Sequence, residues 1–265
     1  MKYIKIIFDY FFIVILRHSF FILKFIIFNP KYFFVSSKIL FRFLSFMLFI
    51  NLFLKKKYLS NRVDFIKFMK ENLKYSDDWF TNNIHIWCHI FEKKNFLDKD
   101  INILEIGSYE GISACFFLRY LPNSNIDCVE TFEGSEEHSK KDFNKVYLNF
   151  NHNLDQFNER YKVYKMSSNI FFEKKKNENL NKKNYDIIYI DGSHKYDDVL
   201  NDAKNSLLYL KEDGVIIFDD FLRSYYKDIK KNPIKAVIEF LNINKKKVTI
   251  MLINYQIFVK KKLIK

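Results

Sequence analysis

Short apolar runs and longer amphipathic stretches alternate through the second half of the chain. Runs of strand length occur at about 101–106, 126–130, 162–166, 185–190 and 214–219, and helical periodicity separates them at about 111–121, 135–149, 168–176 and 196–210. Alternation of this kind predicts a parallel sheet covered by helices. A helix over 233–242 and two nearly abutting apolar runs at 248–253 and 255–260 complete the pattern.

The turn after the first apolar run contains two of the chain's glycines. The run from Ile101 to Ile106 leads through Gly107 and Gly111 into a helical pattern. Glycine lets the backbone turn sharply and approach a ligand, and the N-terminus of the following helix points at the same place. The turn indicates a cofactor loop, although a tight strand-to-helix connection in any α/β domain has the same sequence appearance.

Acidic residues end or follow other strands of the predicted sheet. Glu130 ends the second run, Asp191 follows the fourth, and Asp219 and Asp220 end or follow the fifth. Because ligands bind outside the carboxyl ends of the strands in an open parallel sheet, we expect these acids to converge on one site. A single acid of this kind is more often a helix cap or a solvated loop residue.

Four motifs lie in this region: EIGSYEG at 105–111, VETFEGSEEH at 129–138, IDGSHKYDDV at 190–199 and IIFDDF at 216–221. Together they resemble the motifs of class I S-adenosylmethionine-dependent methyltransferases. The chain is most similar to small metal-dependent O-methyltransferases related to the macrocin and cephalosporin-tailoring enzymes, over residues 95–258. The resemblance implies a Rossmann-like, doubly wound α/β sheet of about seven strands with a C-terminal antiparallel strand pair.

The resemblance divides the chain into parts of different character. A methyltransferase domain is expected over 101–260, a helical lead-in over 58–100, and a short basic tail over 261–265. Residues 1–57 lie outside the similarity and form a basic, apolar and helical region that we expect to associate with membranes.

S-adenosylmethionine is the cofactor that the resemblance implies. Glu130 matches the acid that accepts hydrogen bonds from the ribose hydroxyls, for which two carboxylate oxygens are well suited. Tyr109 stands where a middle glycine is common, and no acid precedes Ser167 and Ser168 near the adenine. A dinucleotide dehydrogenase is the competing interpretation, but its GxGxxG spacing is absent. The expected cofactor-binding residues are Glu105, Gly107, Ser108, Tyr109, Gly111, Ser113, Glu130, Thr131, Ser167, Ser168 and Asp191.

A divalent metal is the second group that the resemblance implies. Asp191, Asp219 and Asp220 match the family's metal positions, and such oxygen ligands suit Mg²⁺ or Mn²⁺. Asp191 and His194 are the expected catalytic residues, with His194 as a candidate base. Alternatively, Asp219 or Asp220 caps the next segment, Asp191 contacts only the cofactor, and His194 is a hydrogen-bonded loop residue.

The formal charge of +13 is concentrated at the two ends of the chain. Residues 1–57 hold ten Lys or Arg and one acid, and the last six residues add four Lys, so the part between them is neutral. A neutral catalytic domain argues against nucleic acid as a partner. Three cysteines without metal-ligand spacing indicate reduced, buried thiols in a cytoplasmic protein: Cys88, Cys115 and Cys128.

The N-terminal region has the composition of an interfacial helix. Charged residues recur every seven or eight positions and are expected on one helical face: Lys2, Asp9, Arg17, Lys24 and Lys31. Peripheral attachment to an anionic membrane is the expectation, with a spanning segment, a helical cap and a dimer surface as alternatives. The apolar run 39–54 falls below the roughly 20 residues of a span, and Lys55 to Lys57 favour the cytoplasmic side.

These observations predict a metal-assisted O-methyltransferase on the inner face of a membrane, acting on a sugar, glycan or small diol hydroxyl. The oligomeric state is open, and a homo-oligomer is possible. Two alternatives remain: a non-catalytic membrane-associated protein that retains the fold, and a methyltransferase that spans the membrane and has another acceptor.

Overall fold

The computed structural model describes residues 2–134, 142–177 and 184–263. Helices occupy both the N-terminal region and the connections between strands. Their bounds are α1 Lys2–Phe28, α2 Phe33–Ser45, α3 Asn51–Lys57, α4 Leu59–Asn72, α5 Ile84–Lys93, α6 Ile112–Tyr120, α7 Phe143–Asp155, α8 Ser168–Asn177, α9 Tyr196–Tyr209 and α10 Pro233–Ile243.

A seven-stranded sheet forms the centre of the molecule, with the strand order β3-β2-β1-β4-β5-β7-β6. The first five strands in the sequence are parallel, and β7 pairs antiparallel with both β5 and β6. The Rossmann-like prediction and its antiparallel strand pair are confirmed. The strands are β1 Ile101–Ile106, β2 Ser124–Glu130, β3 Tyr161–Lys165, β4 Tyr185–Ile190, β5 Leu210–Phe218, β6 Val248–Ile253 and β7 Ile257–Lys261.

The strand order reverses next to β1, which lies between β2 and β4. In open α/β sheets the ligand crevice lies outside the carboxyl ends of the strands at such a reversal. β1 and β4 are nearly continuous apolar runs because helices cover both faces of the sheet, and their central residues are buried. The topology therefore places the loops after β1, β2, β4 and β5 around one crevice.

Two predicted boundaries differ from the structure. β5 begins at Leu210, four residues before the predicted start at 214, because Leu210 already pairs with Tyr185 of β4. The helix predicted over 135–149 begins at Phe143, where the Asp142 side chain accepts hydrogen bonds from two backbone N–H groups, and it extends to Asp155. Residues 135–141 of that prediction lie outside the described part of the chain.

The lead-in contains a non-helical segment between two helices. α4 ends at Asn72 and α5 begins at Ile84, with extended chain and one short 3₁₀ turn between them. Trp87 of α5 is fully buried, and its ring contacts Phe117 of α6 and Tyr189 of β4 at centroid distances of 4.6 and 4.9 Å. α5 thus belongs to the helical layer that covers the centre of the sheet.

The N-terminal region packs against the edge of the sheet domain. α2 continues through a π-helical turn into α3, and polar contacts join this stretch to the rest of the molecule. The Tyr32 hydroxyl donates to Glu239 Oε2 (2.7 Å), Arg42 Nη1 donates to the Ile250 carbonyl (2.9 Å), and His85 Nε2 pairs with Asn51 Oδ1 (2.8 Å).

Two details of the N-terminal prediction change. α1 ends at Phe28, so Lys31 lies in the following 3₁₀ turn and not on the same helical face as Arg17 and Lys24. The second apolar run is part of a longer helical stretch, Pro30–Lys57, because the helix begins well before that run. Within the described residues, its 28 residues alone have the length and composition of a membrane span, which is weak evidence for one.

Candidate cofactor and metal site

The two glycines of the loop after β1 accommodate protein neighbours. Gly107 has a φ of +86°, and a Cβ there would lie 2.2 Å from the carbonyl oxygen of Asp191. Gly111 has a φ of +77°, and its Cβ would lie 2.4 Å from a methyl group of Leu154 in α7. Both glycines are therefore required by the packing of neighbouring protein segments, and their contact with a cofactor stays a prediction.

Glu105 lies near the end of β1, inside the protein beside the loop. Its side chain has no exposed surface, and Ser113 Oγ donates to its Oε1 over 2.5 Å. Burial raises the pKa of Glu105 to about 7, although hydrogen bonds from Ser113 and Ser108 act in the opposite direction. In the structure Glu105 is enclosed by protein and bonded to Ser113 of α6, and a direct contact with the cofactor stays a prediction.

Glu130 lies at the end of β2 with its carboxylate against the same loop. Its Oε2 accepts the backbone N–H of Tyr109 (2.9 Å), and its Oε1 accepts the N–H of Phe132 (3.0 Å). Thr131 Oγ1 lies 3.4 Å from Oε1 and accepts the Glu133 N–H. Each carboxylate oxygen retains lone-pair capacity, so this arrangement fits an additional pair of hydroxyl donors.

Tyr109 joins the cofactor loop to the lead-in. It adopts a left-handed backbone with a φ of +48°, and its ring packs 5.2 Å from the ring of Trp79. Its hydroxyl pairs with Ser76 Oγ (3.2 Å), and the buried Glu110 accepts the Ser76 N–H (2.7 Å). Sequence reasoning missed Ser76, Trp79 and Glu110, since no motif connects the lead-in to the loop.

The two serines after β3 serve the start of α8. Ser167 Oγ accepts the N–H of Ile170, as a helix cap does. Ser168 hydrogen-bonds the buried Asp202 of α9, and burial raises the pKa of that acid to about 7. A contact of either serine with the cofactor stays a prediction, and for Ser168 the hydroxyl already has a partner inside the protein.

Three titratable side chains meet outside the ends of β4 and β5. One ligand atom each from Asp191, His194 and Asp220 lies within 4.8 Å of the others. His194 Nε2 contacts Asp220 Oδ2, and Arg223 Nη1 donates to the same carboxylate oxygen over 2.7 Å. Asp220 has a φ of +49°, a sparsely populated conformation for a non-glycine residue that occurs at functional turns.

Asp219 does not belong to that cluster. Its Oδ2 accepts from Gln256 Nε2 (2.8 Å) and from the Tyr189 hydroxyl, which also lies 2.9 Å from Asp191 Oδ2. Its Oδ1 accepts the N–H of Asp220 over 2.6 Å. Trp87 Nε1 in turn donates to Gln256 Oε1 (2.8 Å). In the structure His194 lies with Asp191 and Asp220, while Asp219 accepts hydrogen bonds from Tyr189 and Gln256. A role of Asp219 as a metal ligand stays a prediction.

The acids repel one another electrostatically. Burial and the charges of Asp219 and Asp220 raise the pKa of Asp191 well above its usual range. Burial and the charge of Asp220 raise the pKa of Asp219 to about 6. Burial also disfavours charge on Asp220, but contacts with His194 and Arg223 hold the pKa of that carboxyl below its usual range.

A divalent cation fits this donor set. The cluster offers carboxylate oxygens and one imidazole nitrogen at the edge of a crevice, and a cation relieves repulsion between carboxylates. The same cluster also holds Arg223, whose positive charge compensates part of the acidic charge. Asp191 and Asp220 are the acids that the structure brings within reach of a shared ion.

Tyr255 connects the acids to the N-terminal region. It lies in the turn between β6 and β7, and its hydroxyl hydrogen-bonds Asp220. The centroid of its ring lies 5.5 Å from the centroid of the His18 ring in α1. A helix outside the predicted domain thus lies one side chain away from the candidate site.

The chain has similarity to known proteins over this region. Residues 104–221 match the family described as "Methyltransferase domain". An uncharacterised protein of Acanthamoeba polyphaga mimivirus is 29% identical over 171 residues, which are 63% of this chain and 68% of that protein.

Solved structures share the fold at low sequence identity. An O-methyltransferase from Bacillus cereus in complex with SAH has a TM-score of 0.52 at 18% identity, covering 77% of this chain and 91% of its own. MycE, a methyltransferase from the mycinamycin biosynthetic pathway in complex with Mg and SAH, has a TM-score of 0.53 at 13% identity, covering 75% of this chain and 55% of its own. The family match over residues 104–221 and the shared seven-stranded fold identify a methyltransferase domain in this chain.

Proposed function

We propose that this methyltransferase transfers the methyl group of S-adenosylmethionine to a hydroxyl of a sugar, glycan or small diol, assisted by Mg²⁺ or Mn²⁺. The observation that carries the proposal is the Asp191, His194 and Asp220 cluster beside the cofactor loop. The cluster and the cofactor loop are adjacent, because a Cβ added to Gly107 would lie 2.2 Å from the carbonyl oxygen of Asp191.

The cofactor half of the site is supported by the loop after β1. Glu130 would hold the ribose hydroxyls while it continues to accept the Tyr109 N–H. When bound, S-adenosylmethionine supplies a sulfonium methyl group that an oxygen nucleophile can attack in line. The hydrogen bond between Ser113 and Glu105 would hold the cofactor loop rigid. A rigid loop limits the motion that must be overcome to align the methyl group with the attacking oxygen.

The acceptor half of the site is supported by the cluster itself. Asp191 and Asp220 would hold a divalent cation, which when bound lowers the pKa of a neighbouring hydroxyl. His194 faces the Asp220 carboxylate through Nε2, so its other ring nitrogen, Nδ1, would receive the hydroxyl proton, with Asp220 stabilising the imidazolium that forms. The acceptor oxygen then forms a bond to the methyl carbon as the carbon–sulfur bond breaks, and S-adenosylhomocysteine leaves as a neutral thioether.

A sugar or diol acceptor is favoured by two considerations. Neighbouring oxygens can share one cation, which orients the attacking oxygen. MycE, whose fold is similar at 13% identity, has been solved with Mg, SAH and mycinamycin VI together. The proposal extends that combination of a metal and SAH with a third bound molecule to this chain.

Titration calorimetry and a methyl-transfer assay test the proposal. We expect S-adenosylmethionine binding by the wild type, loss of turnover in excess chelator, and recovery with Mg²⁺ or Mn²⁺. His194→Gln and Asp220→Asn should lose turnover at least about a hundredfold while cofactor affinity changes little. Asp64→Asn, on the exposed part of α4, is the matched control. Full activity in chelator would refute metal assistance, and absence of cofactor binding would favour a non-catalytic protein that retains the fold.

We also propose that the N-terminal region attaches the protein peripherally to an anionic membrane on the cytoplasmic side. Its inner face makes specific contacts with the sheet domain, which suits a helical layer lying on a surface better than a separate span. Co-sedimentation with vesicles of phosphatidylcholine and phosphatidylserine should occur at low salt and weaken as salt rises. Equal binding to purely zwitterionic vesicles at all salt concentrations would contradict the electrostatic part.

A further inference from the structure

The outer side of the N-terminal layer carries most of the exposed apolar side chains in the described part of the chain. Fifteen of its 25 exposed large hydrophobic residues lie between positions 12 and 53. We call this set the outer face: Phe12, Ile13, Leu16, Phe20, Leu23, Ile27, Phe28, Phe33, Phe34, Phe41, Leu48, Phe49, Ile50, Leu52 and Phe53. A concentration of this kind marks an interaction surface.

The charge of the N-terminal helices indicates what kind of partner binds the outer face. Residues 12–57 contain eight Lys or Arg and no acid. Arg17 and Lys24 are exposed in α1, and Lys55 to Lys57 are exposed at the end of α3. An apolar surface with exclusively basic charges matches the headgroup region of an anionic bilayer, in which apolar side chains enter the acyl boundary and Lys or Arg meet lipid phosphates.

The layer reaches the catalytic crevice through His18. Its ring contacts Tyr255, and the Tyr255 hydroxyl bonds Asp220 of the acidic cluster. Leu16 and Phe20, two positions on either side of His18, are 66% and 69% exposed. One turn of α1 therefore contributes both to the support of the catalytic cluster and to the outer face.

From this geometry we propose that the methyl acceptor is the hydroxyl-bearing headgroup of a membrane lipid, presented while the outer face lies on the bilayer. The inference rests on the proposed O-methylation and narrows its substrate class. A helix that lies in the interface buries its apolar side about 5–10 Å into the headgroup and acyl boundary. The crevice next to α1 is then held beside the headgroups, where neighbouring hydroxyls of a glycolipid can reach the cluster.

A water-soluble acceptor would gain nothing from this placement. A lipid headgroup gains effective concentration, because enzyme and acceptor occupy the same surface. Disturbing the outer face near His18 should therefore reduce methylation of the lipid-borne acceptor and leave methylation of a soluble one intact.

The test uses the full chain, methyl-tritiated S-adenosylmethionine and Mg²⁺ with three acceptors. These are a glycosyl diacylglycerol in phosphatidylcholine and phosphatidylserine vesicles, the methyl glycoside of the same sugar in solution, and a water-soluble catechol. We expect transfer to the glycolipid to be at least about tenfold faster than to either soluble acceptor at equal bulk concentration. Vesicle co-sedimentation is measured in parallel.

The variants isolate the outer face from the catalytic residues. Leu16→Glu combined with Phe20→Glu should abolish vesicle binding and the advantage of the glycolipid, whereas Leu208→Glu, at an exposed apolar position of α9, should keep both. Arg17→Gln with Lys24→Gln is a milder pair, and should lower glycolipid transfer about tenfold or more at low salt. An unchanged calorimetric titration with S-adenosylmethionine shows that each variant is folded.

The outcomes separate the two proposals. Soluble acceptors methylated as fast as the glycolipid, or glycolipid transfer that persists in the Leu16 and Phe20 variant, would overturn the lipid acceptor and leave O-methylation standing. Transfer to none of the three acceptors, despite bound cofactor and metal, would instead overturn the proposed O-methylation and the lipid acceptor with it.

Discussion

Replacing Gly107 with alanine tests whether the contact between the cofactor loop and β4 organises the site. The added Cβ would lie 2.2 Å from the Asp191 carbonyl oxygen and 2.6 Å from the Gly192 Cα. Ordinary contacts between such atoms begin near about 3.5 Å, so the ends of β1 and β4 would have to separate by about 1 Å. Asp191 would move with its backbone.

The expected loss of stability combines two costs and one gain. A left-handed backbone costs an L-residue about 1–2 kcal/mol, and Gly107 has a φ of +86°. Overpacking of this kind costs about 1–3 kcal/mol. Alanine restricts the unfolded chain, which returns about 0.4–1 kcal/mol. We therefore expect the free energy of unfolding to fall by about 2–4 kcal/mol.

Gly192→Ala is the matched control, one residue after Asp191. Its Cβ would meet Ile106 Cγ2 at 3.3 Å and backbone atoms only at 3.7 Å or more, and its φ is not positive. We expect a change within about 1 kcal/mol. Urea unfolding followed by circular dichroism measures both variants, and calorimetry should show at least about tenfold weaker S-adenosylmethionine binding for Gly107→Ala. Equal stability of the two variants would refute the argument.

Three further predictions concern buried groups. Burial raises the pKa of Asp202 to about 7, so the folded protein binds a proton at this group more tightly than the unfolded chain, and wild-type stability falls as pH rises from about 4 to 7. Over that range the unfolding free energy of Asp202→Asn, measured by urea unfolding, should rise relative to that of the wild type by at most about 4 kcal/mol, and the difference should not grow at higher pH. Trp87→Phe removes the donor to Gln256, and should lower the unfolding free energy by about 1–3 kcal/mol with an unchanged urea m-value; a change below about 0.5 kcal/mol would contradict this. Burial raises the pKa of the thiols of Cys88, Cys115 and Cys128, so Ellman's reagent should modify them only after the protein unfolds in guanidinium chloride. Fast modification of the native protein would contradict their buried positions.

The centre of the sheet could be predicted from the sequence because strands such as β1 and β4 are buried on both faces. An apolar run such as that in β4 is then visible without knowledge of its neighbours. The acids at strand ends were visible for a related reason, since parallel strands place their carboxyl ends at one edge. The prediction that the three cysteines are buried and unpaired is also confirmed.

The division of roles within the site could not be predicted. Asp219 and Asp220 are adjacent, and neighbouring side chains at a strand end point in different directions, so the sequence does not say which acid faces His194. Glu105 is a similar case, because a motif position does not reveal whether a carboxylate faces the crevice or the interior. The contact of Trp79 with Tyr109 joins positions 30 residues apart, beyond the reach of local patterns.

The hydrogen bond from Arg42 to the Ile250 carbonyl has a consequence for how this chain can be divided. β6 is the outermost strand beside β7, and an outermost strand leaves backbone groups able to pair with a strand of another molecule. α2 lies along β6, and Arg42 occupies one of its carbonyl groups. A truncated protein that lacks α2 would expose the unpaired edge of β6. We therefore expect it to self-associate or precipitate under conditions in which the full chain does not. The N-terminal helices therefore cover the outer edge of the sheet, and removing them would expose it.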